Sequence, residues 1–283
     1  MGNVILTADS PCDLGESFQN RYQLYYYPYH IILDGREYTD GVDISPDDLF
    51  RAYWDKKLLP KTAAIGIGEY LDFFRPLVEQ GYEIVHFCLG SALSAAYQNC
   101  CAAAEELGHV YPVDSRSLST GIGLQVIEAA EMARTGLPAS EIHREARKLA
   151  DRSHASFILD TLEFMHAGGR CSTVTALGAN LLRLKPCIEV RPEKNGAMEV
   201  GKKYRGDLRK VLVQYTKDVL NRKDLQLDRV FITHSGIAQD CIDLVRETII
   251  QCADFQEIHV TRASCTISCH CGPNTLGVLF LTK

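Results

Sequence analysis

Short apolar runs alternate with amphipathic segments through the first half of the chain. The runs at residues 4–8 and 82–89 have the length and the β-branched or aromatic content of buried strands. The segments between such runs, for example residues 118–134, repeat apolar side chains at helical spacing. Strands that alternate with helices indicate βαβ units, so this half is predicted to form a mostly parallel, doubly wound sheet.

The pattern changes after about residue 152. Residues 185–190 and 198–204 have strand character and flank a turn at Asn195-Gly196, with no helix between them. Helical patterns at residues 208–220 and 239–252 separate other strands. The sequence therefore predicts an α/β protein of two domains, residues 1–152 and residues 153–283, the second with a mixed sheet.

Charge and hydropathy exclude some classes of function. The chain has 30 Lys and Arg against 36 Asp and Glu, a net charge of −6, and its basic residues do not cluster, which argues against a nucleic-acid surface. No run approaches the roughly 18 apolar residues of a membrane span. The N-terminal residues pass directly into the first strand, unlike a signal peptide. We expect a cytoplasmic protein without an integral membrane segment.

The eleven cysteines allow a metal-binding or redox-responsive hypothesis. The densest group is Cys265, Cys269, His270 and Cys271. Its spacing fits none of the paired cysteine patterns of structural zinc sites, so reduced thiols are the favoured interpretation and no metal is expected. A metal- or redox-responsive regulator that uses these cysteines stays open as an alternative.

Two serines and a histidine are the most conspicuous candidates for ligand chemistry. Ser91 and Ser94 lie where a predicted strand passes into a helix, and unpaired N–H groups at a helix start can receive an anion. Either serine can instead simply cap that helix. His270 lies in a predicted turn, where a structural histidine is the commoner case. An acyl hydrolase or transferase that uses Ser91 with His270 is the alternative function, although the segment is not a nucleophile elbow.

Two further residues are weaker candidates. Arg170 follows Gly168-Gly169, whose small size lets the backbone approach a negatively charged ligand or partner. Thr62 lies in a small-residue loop and offers a hydroxyl, or only caps the next element.

Several short segments, taken in chain order, resemble the signature segments of the DegV family. These segments are Ile5-Leu6-Thr7-Ala8-Asp9-Ser10, Asp40-Gly41-Val42-Asp43-Ile44, Gly90-Ser91-Ala92-Leu93-Ser94-Ala95-Ala96-Tyr97-Gln98, Val113-Asp114-Ser115, Gly168-Gly169-Arg170, Lys185-Pro186 and His270-Cys271-Gly272-Pro273. They extend from the first predicted strand to the last, so the resemblance covers the whole chain.

The resemblance implies a fatty-acid carrier rather than an enzyme. It implies an N-terminal Rossmann-like domain, a C-terminal α/β domain and a ligand site at their junction. A long-chain fatty acid would be held there without a cofactor, and a separate ATP-dependent fatty acid kinase would phosphorylate its carboxyl group for phospholipid synthesis. The residues that the resemblance assigns are Thr62, Ser91 and His270 for the carboxylate, Arg170 and Ser94 near the head group, and Arg205 for docking of the kinase.

Overall fold

The computed structural model describes residues 3–175 and 184–283. The elements of the first half are β1 (Val4–Asp9), α1 (Glu16–Tyr22), β2 (Tyr25–Tyr27), β3 (His30–Leu33), β4 (Arg36–Thr39), α2 (Pro46–Lys56), β5 (Lys61–Ala63), α3 (Ile67–Glu79), β6 (Glu83–Cys88), α4 (Ala96–Leu107), β7 (Val110–Asp114), α5 (Thr120–Arg134) and α6 (Ala139–Leu149). Those of the second half are β8 (Ser153–Ile158), α7 (Glu163–Gly168), α8 (Ser172–Thr175), β9 (Leu184–Arg191), β10 (Ala197–Arg205), α9 (Leu208–Leu220), β11 (Leu225–His234), α10 (Gln239–Cys252), β12 (Glu257–Arg262), α11 (Cys265–Cys271) and β13 (Leu276–Thr282).

The first sheet has four parallel strands in the order β2-β1-β6-β7. Strand β1 lies between strands that follow it in the chain, so the strand order reverses beside it. In open α/β sheets, ligands bind outside the carboxyl ends of the strands at such a switch point. The predicted parallel, doubly wound sheet is confirmed.

A small antiparallel sheet, β4-β3-β5, and helix α2 form a unit that we call the clasp (residues 30–63). The hairpin between β3 and β4 turns at Asp34 and Gly35, both at positive φ, as a two-residue hairpin turn requires. Helix α2 begins with a capping box between Ser45 and Asp48, which satisfies backbone donors at its first turn.

The clasp reaches across the molecule to the second half of the chain. The apolar face of α2 packs against Phe164 of α7 and against Cys265 and Cys269 of α11. Phe164 lies edge-on to Tyr53, with ring centroids 4.8 Å apart. An element encoded in the first half therefore closes over elements encoded in the second.

The second large sheet has six strands in the order β10-β9-β8-β13-β11-β12. All neighbours are antiparallel except β11 and β12, so the sheet is mixed, as predicted. In β13, Leu279 and Leu281 face the first half of the chain, whereas Val278 and Phe280 face the core under α9 and α10. Alternate side chains of β13 therefore point to opposite faces of the sheet, and both faces are covered.

Helix α5 lies between the two large sheets. Ten of its residues are buried, from Thr120 to Ala130, because sheets cover the helix on opposite sides. Side chains of both halves join one core around it, including Leu124 and Phe157. All strands that end before residue 153 belong to the four-stranded sheet or to the small sheet of the clasp, and all strands from β8 onward belong to the six-stranded sheet. The division into two domains at residues 152 and 153 stays a prediction.

Three local predictions are wrong. His270, expected in a turn, lies instead in helix α11, which ends at Cys271. The loop expected at Thr62 contains strand β5. Asp160-Thr161-Leu162-Glu163 has the sequence pattern of a capping box, but α7 begins at Glu163 without a side-chain cap. Asp160 instead accepts hydrogen bonds from Lys185 and Asn274.

Candidate functional site

A cleft of about 790 Å³ lies at the carboxyl ends of β6 and β7, against the inner face of the six-stranded sheet. Its walls are largely aliphatic and aromatic, with Leu89, Leu93, Phe157, Met165, Met198 and Leu279 among them. The arrangement suits a ligand that is mostly apolar.

Polar side chains from four different elements line the same cleft. Thr62 comes from β5 of the clasp, Ser94 precedes α4, Arg170 follows α7, and His270 lies on α11. Thr62 Oγ1 and His270 Nε2 are 2.9 Å apart although 208 residues separate them in the chain. The structure therefore brings together four of the residues that the sequence singles out.

Two buried carboxylates hold the start of α11 and so place His270. Asp40 accepts hydrogen bonds from Cys265 N at 2.8 Å, from Thr266 N at 3.2 Å and from Thr266 Oγ1 at 2.6 Å. Asp13 accepts one from Ser264 N at 2.9 Å. A carboxylate that accepts several hydrogen bonds can be buried without a large penalty.

Asp13 also supports the wall of the cleft. Its carboxylate accepts a hydrogen bond from Ser119 Oγ at 2.6 Å, and Ser119 lines the cleft. Burial raises the pKa of Asp13 to about 7, although the hydrogen bonds from Ser119 and Ser264 oppose that shift. Ser119 has φ 54°, which costs free energy in a non-glycine residue and persists where the surroundings fix it.

His270 is neutral and held in one orientation. Burial and the Arg170 guanidinium lower the pKa of His270 from 6.5 to about 4. Its Nδ1 is buried without a hydrogen-bond partner among the described residues and faces Gly168, where a Cβ would lie 2.2 Å from it. We therefore assign the ring proton to Nε2, which donates to Thr62 Oγ1 and leaves the Thr62 proton free for a ligand.

Ser94, and not Ser91, lies in the cleft. Ser94 Oγ accepts hydrogen bonds from Ala96 N at 3.2 Å and from the Tyr29 hydroxyl at 3.0 Å. Ser91 donates its hydroxyl to Asp114 Oδ2 at 2.5 Å and is not among the described residues that line the cleft. The expectation that Ser91 meets a carboxylate stays a prediction.

The two arginines differ in position. Arg170 lines the cleft and donates from its Nη1 to Gly168 O at 2.8 Å, so its charge lies beside His270. Arg205 is exposed at the end of β10 and is not among the described residues that line the cleft. Its predicted role in docking a partner stays a prediction.

The cysteines of α11 do not converge on one point. Cys265 and Cys269 face the clasp, whereas Cys271 lines the cleft together with His270. Elsewhere in the described part of the chain, one atom each of His86, Cys88 and Cys100 lies within 4.8 Å of the others. Both ring nitrogens of His86 contact Asp9 or Thr7, and burial raises the pKa of both thiols, so this cluster is poorly suited to a metal.

Sequence reasoning missed three polar residues that shape the site. These are Asp9, Tyr29 and Asp40. Asp9 and Asp40 belong to segments that resemble family signatures. Their spacing in the sequence does not show from which backbone N–H groups their carboxyl groups accept hydrogen bonds. Tyr29 lies in a run of tyrosines and carries no local signal of its own.

Comparison with known proteins gives one consistent result. The family model described as "Uncharacterised protein, DegV family" matches residues 3–283. A DegV domain-containing protein of Clostridium acetobutylicum is 25% identical over 286 residues, covering 100% of both chains. Another, from Caldanaerobacter subterraneus, is 27% identical over 292 residues and again covers 100% of both.

Solved structures show the same fold. A DegV family protein from Thermus thermophilus, described by its fatty acid binding, has a TM-score of 0.88 at 24% identity, covering 99% of each chain. A stearic-acid-binding protein from Eubacterium ventriosum has a TM-score of 0.82 at 22% identity, covering 100% of this chain and 99% of that one. Within residues 3–175 and 184–283, no helix is both long and apolar enough to cross a bilayer.

The neutral state of His270 predicts a pH-dependent stability. Its pKa is about 4 in the folded chain against an ordinary 6.5, so the unfolded chain binds more protons between these values. The free energy of unfolding therefore falls as the pH drops through this window. Between pH 8 and pH 5, the free energy of unfolding of the wild type, measured with urea, should fall by up to about 2 kcal/mol more than that of His270→Gln. Equal losses in the two proteins would contradict the neutral assignment.

Proposed function

Since the chain belongs to the DegV family, we propose that it binds a long-chain fatty acid. The acyl tail occupies the cleft, and the carboxylate lies beside Thr62, Ser94 and His270. The observation that carries this proposal is one apolar cleft with convergent hydroxyl groups from separate elements. Relatives of the same fold are described as binding fatty acids, among them the proteins from Thermus thermophilus and Eubacterium ventriosum.

The apolar walls account for the affinity expected of a carrier. Burying an acyl chain yields about 0.8 kcal/mol per CH₂, so a long tail contributes on the order of 10 kcal/mol. Phe157, Met198 and Leu279 lie on three strands of the six-stranded sheet, and their apolar side chains line the cleft. The flexible Met165 and Met198 side chains can adapt to the shape of the tail.

The carboxylate is stabilised by hydroxyl donors rather than by a metal. Thr62 directs its proton to the ligand because its oxygen already accepts from His270 Nε2. Ser94 supplies a second donor, and the Arg170 guanidinium offsets the negative charge from the edge of the cleft. Hydrogen bonds to a charged group contribute about 1.5–3 kcal/mol each, which favours keeping the carboxylate ionised.

The carrier role leaves the chemistry to a partner. In the described residues Ser91 contacts Asp114 and His270 contacts Thr62, so the alternative hydrolase lacks its nucleophile–base pair. A separate ATP-dependent fatty acid kinase would phosphorylate the carboxyl group for phospholipid synthesis and dock at the face that carries Arg205. We place both proteins in the cytoplasm, which cell fractionation tests.

Replacement of Ser94 tests the site directly. Ser94→Ala should weaken hexadecanoate binding about tenfold, because one hydrogen bond to the carboxylate is lost. Ser91→Ala is the matched control and should change the Kd less than threefold, because that hydroxyl serves Asp114. Isothermal titration of both variants measures the difference. A larger rise in Kd for Ser91→Ala than for Ser94→Ala would instead indicate that the carboxylate lies beside Ser91.

Reversing the charge of Arg205 separates docking from binding. Arg205→Glu should lower the rate at which the kinase phosphorylates the bound fatty acid at least fivefold, because a charge contact at the docking face is reversed. The Kd for hexadecanoate should not change. Lys223→Glu, at another exposed position, controls for net charge. Equal phosphorylation of both variants and the wild type would exclude Arg205 from the docking face.

A further inference from the structure

A buried aspartate–histidine pair lies behind the polar end of the cleft. Asp9 and His86 are both fully buried, and His86 Nε2 lies 3.0 Å from Asp9 Oδ1. His86 Nδ1 lies 2.7 Å from Thr7 Oγ1, so each ring nitrogen has a partner that can accept a proton. Burial opposes charging of the ring, but Cys88 and Asp9 raise the pKa of His86 above its ordinary value. The imidazole and the carboxyl group therefore contact each other directly out of reach of solvent.

Other donors occupy most of the remaining capacity of Asp9. The Tyr70 hydroxyl donates to Oδ1 at 2.7 Å, and Leu89 N donates to Oδ2 at 2.9 Å. Oδ1 therefore receives two donors and Oδ2 receives one at good distance. The Tyr29 hydroxyl lies 3.5 Å from Oδ2, at the outer limit of a hydrogen bond.

Tyr29 has a better acceptor on the cleft side. Its hydroxyl is 3.0 Å from Ser94 Oγ, half an ångström nearer than Asp9. Burial and the Asp9 charge raise the pKa of Tyr29 well above its ordinary value, so the phenol keeps its single proton. Because that proton can serve only one acceptor, the nearer Ser94 receives it.

The hydrogen bonds that reach Ser94 determine what it can offer a ligand. Its oxygen accepts from Ala96 N and from Tyr29, which fills both acceptor positions of a hydroxyl. Only its own proton remains. A carboxylate finds a donor at Ser94, whereas the hydroxyl group of a fatty alcohol finds no acceptor there.

We infer that Tyr29, held against the buried Asp9–His86 pair, fixes Ser94 as a donor and thereby selects fatty acids over fatty alcohols. Tyr29 is a positioning residue, because it acts on the head group through Ser94. The inference rests on the proposed fatty-acid site and adds a determinant of head-group specificity. The reverse orientation, in which Tyr29 donates to Asp9 and Ser94 donates to Tyr29, would favour the alcohol.

Tyr29→Phe tests this orientation, because it removes one hydroxyl and keeps the buried ring. Displacement of a fluorescent fatty acid by hexadecanoate and by hexadecan-1-ol gives two Kd values for each protein. In Tyr29→Phe the Kd for hexadecanoate should rise about fivefold. The Kd for the alcohol should stay the same or fall, because Ser94 regains an acceptor position. A purely structural role of Tyr29 would weaken both ligands equally.

Two further proteins make the result decisive. Tyr26→Phe removes a hydroxyl that donates to Leu14 O, outside the described lining of the cleft, and should leave both Kd values unchanged. Adding Tyr29→Phe to Ser94→Ala should leave the Kd for hexadecanoate where Ser94→Ala alone puts it.

The outcomes separate the two proposals. Additive effects in the double variant, or equal weakening of both ligands by Tyr29→Phe, would overturn the inference while the fatty-acid site stands. Wild-type protein that binds neither ligand would overturn the proposed function, and the inference with it.

Discussion

The carboxylate of Asp40 is the interaction on which the arrangement of the site depends. It lies at the end of the first hairpin of the clasp and accepts hydrogen bonds from Ser10, Cys265 and Thr266. A buried carboxylate without such donors would be costly. Satisfying it therefore requires the first strand, the clasp and α11 to meet at one point. The position of His270, farther along α11, follows from that meeting.

Apolar and polar groups of the cleft come from several elements. Strands β8, β10 and β13 of the six-stranded sheet supply apolar side chains, whereas the polar groups discussed above come from the clasp, from α11, from the end of α7 and from the segment before α4. Each donor has its orientation fixed by a second group: Thr62 by His270, and Ser94 by Tyr29 and Ala96. A site preorganised in this way loses little entropy when a carboxylate binds.

Much of the fold could be predicted from the sequence, and the site only in part. Helices α9 and α10 have the predicted bounds, because apolar periodicity is a local property. Helix α11 was not predictable in this way. It is short, rich in cysteine and capped by Ser264 with the help of Asp40, which lies more than 200 residues away.

The serines show the same limit. Spacing indicates that Ser91 and Ser94 lie near the start of α4, but the residue that reaches the cleft depends on Asp114. Its carboxylate accepts from both the backbone N–H and the hydroxyl of Ser91. That contact belongs to the tertiary structure, so motif resemblance alone does not show which of the two serines lines the cleft.

Identification of the natural ligand tests the central claim most directly. Protein purified from its own cells should release about one fatty acid per chain on organic extraction and mass spectrometry, whereas Thr62→Val and Ser94→Ala protein should release less. If the wild type carries no fatty acid and also takes up none from added hexadecanoate, the cleft does not hold a fatty acid and the account fails.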